Sequence, residues 1–187
     1  MALNAALIRA YQNGEVSVGA TGATPTLPAD ATSTISTLDF TGCGLLTDAG
    51  VTETFSQDYN NIFAWQGNAL VASLPGELEV SFKFACMQQT LVNLGLQFPG
   101  STLTQTAYGA SLVQKATVRD LRTWVLHGID GARLCRIVVP SGMITERGDV
   151  VWSSQDVTVY EWTVTAYPDA ANAAYTYRYW VDPSLAL

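Results

Sequence analysis

Cys43, set between Gly42 and Gly44, and the lone His127 are the residues of this chain whose types would allow covalent chemistry. Gly-flanked nucleophiles sit on sharp turns in hydrolases, and a thiol, an imidazole and an acid make a nucleophilic triad when the fold gathers them. The same glycine pair marks a bend or bulge in a strand, and that is the simpler reading. Glu77 and Glu79, two residues apart, would serve as the paired carboxylates of a glycosidase if they approached each other across a substrate; otherwise they are one solvated strand face. One His excludes a His-rich metal site, and the acidic residues lack the spacing of a calcium loop. Gly42-Cys43-Gly44 lacks the third glycine of a dinucleotide fingerprint, and no G-x-x-x-x-G-K-[ST] occurs, so no cofactor is expected. Chemistry is therefore not where this sequence points.

Composition points to a protein covered by partners. The chain has 187 residues, 48% hydrophobic and only 13% charged, against roughly 25% charged in an average soluble domain. Its length suits one domain over 1–187 with extended arms. A net charge of −7 with 9 Lys+Arg argues against gripping nucleic acid, which needs cations to displace phosphate counterions. Cys43, Cys86 and Cys135 are odd in number and widely spaced, as expected of buried thiols in a reducing compartment. The start lacks a basic cluster with a long apolar run, and no run reaches the roughly 18 apolar residues of a membrane span. Neither secretion nor a membrane is expected.

The elements that would position these residues are mostly strands. Residues 1–13 read as an N-terminal arm or short helix, and Gly14 to Ala20 alternates as a strand. Thr21 to Thr37, with Pro25 and Pro28, reads as a long loop that is either a floppy surface segment or one that orders only against a neighbouring subunit. From Glu77 to Ala85, Leu78, Val80, Phe82 and Phe84 share one face and Glu77, Glu79, Ser81 and Lys83 the other. Met87, Leu91 and Leu94 then recur at helical spacing until Gly95 and Pro99. Val118 to Val139 reads as a hairpin with Asp130-Gly131 as its two-residue loop. That loop would set Leu126 opposite Cys135, Trp124 opposite Ile137 and Arg122 opposite Val139, with a core on one face and a subunit contact on the other. Asp156 to Tyr167 turns Tyr160, Trp162, Val164 and Ala166 to one side, and Ala174 to Val181 alternates Tyr175, Tyr177 and Tyr179 with Thr176, Arg178 and Trp180. Those tyrosines suit an interface or the cover of a core edge equally.

The order of parts adds a resemblance. A Gly-rich bend, a D-x-G turn at Asp48 to Gly50, a GVTET strand and an AWQG segment fill Leu38 to Gly67, and the alternating strand ELEVSFKFA follows and runs into a helix. In this order the chain resembles the tail tube proteins of long-tailed bacteriophages. The resemblance implies a mainly β fold, a β-sandwich or barrel-like sheet with one short helix and extended loops. It implies a structural protein without enzymatic activity. Such subunits form hexameric rings stacked into the conduit for genome ejection, around a tape-measure protein during assembly and between tail terminator and baseplate proteins. DNA passes through an acidic lumen without specific binding. Assembly in the host cytoplasm and residence in the virion follow.

Carried onto this chain, the resemblance makes Glu53, Glu77, Glu79 and Glu161 candidates for the lumen. Thr24, Pro25, Leu27, Pro28 and Asp30, with the N-terminal arm, become candidates for the contact between rings. Strand edges left unguarded by so few charges fit an assembling subunit. The alternatives are another virion protein (terminator, baseplate or capsid decoration) and a carbohydrate-binding β-sandwich using Trp65, Trp152, Trp162 or Trp180 as a stacking platform.

Overall fold

A computed structural model describes residues 7–35 and 39–185. The chain is mainly β. Ten strands run β1 (Asn13–Gly19), β2 (Phe40–Gly42), β3 (Leu46–Phe63), β4 (Leu70–Cys86), β5 (Thr102–Thr106), β6 (Gly109–Val113), β7 (Arg122–Asp130), β8 (Arg133–Arg147), β9 (Tyr160–Tyr167) and β10 (Tyr177–Val181). Among the described residues one α-helix, α1 (Leu91–Gln97), follows β4. The large antiparallel sheet has the order β2-β1-β7-β8-β9-β4-β3, while β5 and β6 form a separate hairpin. β8 is the hub: β7 lines one edge, and the other edge is shared by β10 along Leu134–Val138 and β9 along Ser141–Arg147.

The sheet curls around its main core. Phe84 of β4 meets Trp124 of β7 edge-on at 6.0 Å between ring centroids, although two strands separate them in the sheet order. Phe84 also meets Trp162 edge-on at 6.0 Å. These geometries match the ring quadrupoles. The alternation of β9 is as its sequence dictates, with Tyr160, Trp162, Val164 and Ala166 all buried.

α1 closes the end of this core. It begins later than the apolar spacing predicts, because β4 continues to Cys86 and Met87 is left exposed; Thr90 caps the helix by accepting from the Asn93 amide at 3.2 Å. Gly95 lies inside it rather than ending it. Arg147 donates Nε and Nη2 to the Leu96 carbonyl at 3.2 and 3.1 Å, placing a cation at the helix C-terminus. Trp162 Nε1 donates to Gln97 Oε1 at 2.7 Å.

Asn93 is fully buried and donates Nδ2 to the carbonyls of Cys43 and Gln88 at 2.8 and 2.7 Å. Asn93→Ala leaves both carbonyls without that donor. The cost is about 2–4 kcal/mol, read as a fall of about 5–15 °C in the thermal midpoint. A shift below about 1 kcal/mol in chemical denaturation would show that the helix docks without this bridge.

The β7–β8 hairpin forms, but in a different register. Its loop is Gly131-Ala132, with Asp130 opposite Arg133, Leu126 opposite Ile137 and Trp124 opposite Val139. Gly131 has φ 59° and stands first in the loop, where a type II′ turn requires glycine. The displacement is by two residues, so every side chain keeps its face. Arg122 lies beyond a bulge, opposite Gly142, and pairs with Asp120 at 2.8 Å.

The second face of that hairpin is covered by the chain itself, not left for a neighbour. Leu27, Ile35, Phe40, Tyr177 and Tyr179 pack on Val125 and Val138. The 21–35 segment thus lies as a strap on its own sheet, with Pro25, Pro28 and Ala31 buried. Asp30 folds the strap locally, accepting from the Thr32 and Ser33 amides and from Thr32 Oγ1. Of the N-terminal arm, residues 1–6 lie outside the described residues. Arg9 pairs with Asp182, whose carboxyl is lowered to about 2, first by the Ser184 hydroxyl and with further help from the Ser184 amide and Arg9.

Candidate assembly surfaces

β3 and β4 are far longer than the core requires. Past Phe55 and Val80 the pair continues as a two-stranded arm, with Tyr59 opposite Pro75 and Phe63 opposite Leu70. Ala64 donates to the Ala69 carbonyl at 2.8 Å across the tip, and Gly67 and Asn68 take positive φ there (72° and 51°). The arm buries almost nothing in its own chain. Phe55, Tyr59, Ile62, Phe63, Leu70, Val71 and Leu74 are all exposed, and Trp65 is 98% exposed. From Tyr59 to Pro75 there is no Asp, Glu, Lys or Arg. Isolated hairpins are marginal in water, and contiguous exposed apolar surface of this kind marks an interaction site. β3 is also an edge strand, and nothing pairs its outer side among the described residues.

One face of β3, β4, β9 and β8 is wet and rich in hydroxyls. Ser56, Thr54 and Thr52 lie opposite Glu79, Ser81 and Lys83, and Thr165 and Thr163 lie opposite Ser81 and Lys83 on the other edge. Thr145 and Thr165 share a hydrogen bond of 2.8 Å, and Thr163 donates to Glu146 at 3.2 Å. Glu77 and Glu79 are exposed. Glu161 is on the same face, paired with Lys83 at 2.9 Å. Glu146 completes the carboxylates here; its bulged position in β8 hid it from a strict alternation.

Glu53 is placed elsewhere. It lies opposite Phe82, on the core side of β3, and accepts both Nη1 and Nη2 of Arg178 from β10. The structure therefore gathers Glu77, Glu79 and Glu161 and separates Glu53 from them. Among the ring-contact candidates, Leu27 packs on the chain's own second core and Pro25 and Pro28 are buried, while Thr24 and Asp30 stay exposed.

Cys43 and His127 are not brought together. Cys43 is buried in the main core, and hydrogen bonding to Cys86, then burial, push its thiol up. His127 lies on the other side of the sheet, beside Arg136. A cleft of about 610 Å³ between β1 and the start of β3 has an apolar floor of Phe82, Leu126 and Ile137; its one thiol, Cys135, is pushed up by burial. Among the described residues no His, Cys, Asp and Glu cluster could hold a metal ion, and no helix is long and apolar enough to cross a membrane. Trp162 is buried, which removes it from a sugar-stacking platform.

A family model described as phage tail tube protein matches residues 1–185. The chain belongs to the phage tail tube protein family. The match spans the strap, the arm and the curled sheet together, so the arm is read within a structural tail protein, a component of the virion. Tail tube proteins are structural, and the family implies assembly of many subunits. No curated protein matches the chain.

Proposed function

We propose that this tail tube protein polymerises into stacked hexameric rings that form the conduit for genome ejection, with the β3–β4 arm as its main bridge between subunits. The observation that carries the reading is the charge-free arm with Trp65 at its tip, 98% exposed in the isolated subunit. Fully burying one large apolar side chain contributes about 1.5–3 kcal/mol, so a neighbour that covers several of them holds the arm firmly. The free edge of β3 supports strand pairing with the adjacent subunit, which would close the sheet into a larger barrel and remove the edge. The wet face carrying Glu77, Glu79, Glu146 and Glu161 then lines the lumen. Repeated carboxylates and hydroxyls there repel a polyanion, and the Lys83 on the same face is paired with Glu161. A tape-measure protein would occupy the lumen during assembly, and terminator and baseplate proteins would cap the ends.

Negative-stain electron microscopy of the concentrated protein tests this. Rings or hollow filaments are the expected result. A strictly monomeric particle at every concentration, with its tape-measure partner present as well, would overturn the reading.

A further inference from the structure

The strap is fastened to the sheet by one buried cation. Arg136 is 4% exposed, and its Nη1 donates to the Asp30 carbonyl at 2.9 Å, the Ser33 carbonyl at 2.7 Å and Ser33 Oγ at 3.1 Å. Its Nε donates to His127 Nδ1 at 3.3 Å. Among the described residues no carboxylate comes within ion-pair distance of it. An imidazole nitrogen that accepts from a guanidinium must keep its lone pair, so His127 is neutral here with its proton on Nε2.

The surroundings of His127 come from four elements. Glu15 of β1 is its partner on one side and Arg136 of β8 on the other, with Tyr179 of β10 next in the row. Asp30 of the strap lies above Arg136, but its carboxylate is engaged by Thr32 and Ser33. Burial, then Arg136, lower the pKa of His127, against an opposing pull from Glu15.

We propose that His127 and Arg136 form an acid-operated latch on the strap. A proton taken from solvent at Nδ1 removes the acceptor for Arg136 Nε and sets two cations side by side in a buried site. Arg136 then withdraws from the Asp30 and Ser33 carbonyls, and the strap lifts from Val125, Val138, Tyr177 and Tyr179. The sign follows from the lowered pKa. With the strap open, His127 regains its ordinary value of about 6.5. Closure is therefore fully favoured above about pH 6.5, weakens as pH falls below it, and reaches its minimum below the lowered pKa of the closed form. Within that window each pH unit shifts the open-to-closed ratio by up to about tenfold. The latch does not depend on the assembly proposed above.

Hydrogen–deuterium exchange of the full chain, corrected for intrinsic exchange, reads the strap directly. Between about pH 7 and about pH 5, amides of 24–35 should lose protection, by up to about tenfold per pH unit below about pH 6.5, while β7 and β8 keep theirs. In His127→Asn the side-chain oxygen stands where Nδ1 did, so it still accepts from Arg136 but takes no charge, and strap protection should be equal at both pH values. Arg136→Met should show low strap protection at both. His127 is the only histidine, so its NMR titration in the unmutated protein is unambiguous, and its midpoint should coincide with that of strap opening. Unchanged wild-type strap protection, an equal loss in His127→Asn, or midpoints more than about one pH unit apart would each overturn the latch.

Discussion

Particles whose tail tubes carry Glu77→Lys and Glu79→Lys together should assemble normally, adsorb, and deliver DNA at least about tenfold more slowly. Both side chains are exposed and make no ion pair among the described residues, so neither change disturbs the subunit. If both residues line the lumen of stacked rings, as proposed above, the substitution repeats at every subunit and turns a repelling band into a periodic series of phosphate partners. Each Lys that meets a phosphate adds about 0.9 to the slope of log affinity on log salt, and many weak contacts acting on one strand reinforce each other. Delivery should therefore recover partly as ionic strength rises. Ejection kinetics from purified particles measure this. Unimpaired delivery through normally assembled mutant tubes would remove both residues from the lumen, and failed assembly would place them at an interface.

Replacing Tyr59–Pro75 by an Asn-Gly link should abolish tubes while leaving the subunit folded. On β4 the core reaches only to Leu78, short of the residues removed, which are almost all exposed, so circular dichroism and the thermal midpoint should stay within a few degrees of the full chain, about 1 kcal/mol. The same deletion takes away the tip and both apolar faces of the arm. Light scattering and microscopy should then find only free subunits. Tubes of ordinary length from the shortened chain would show that the arm is not the bridge.

Much of the fold was legible because period-two alternation is unambiguous where one face is buried and the other wet, as in β9 and the core half of β4. The exact β7–β8 register was not, since a D-G pair serves two turn classes and Gly131 could stand first or second in the loop. The strap eluded the sequence for a different reason. A Pro- and Thr-rich stretch has no periodicity, and only the fold reveals that its few apolar residues, Leu27 and Ile35, meet a second apolar face made by Val125 and Val138. The wet face was largely readable from Glu77, Glu79 and Lys83, but alternation alone could not tell that Glu53 sits on the core side of β3, where Arg178 reaches it. The arm was hidden in plain view. Its AWQG segment was visible as a motif, and the uncharged run on both sides of it was the signal that the motif caps a projecting hairpin.

The sheet order also sets an order of events during synthesis. β3 and β4 are neighbours in sequence and in space, so their hairpin can zip as soon as Cys86 has left the ribosome. β1 must wait for β7, and β4 must wait for β9, before the core can close. The stickiest part of the molecule is therefore finished first and the part that makes it a subunit last. A nascent chain spends that interval offering its arm to every other nascent chain on the same message, which makes slow translation through the stretch before Tyr160 a hazard for yield rather than for the finished tube.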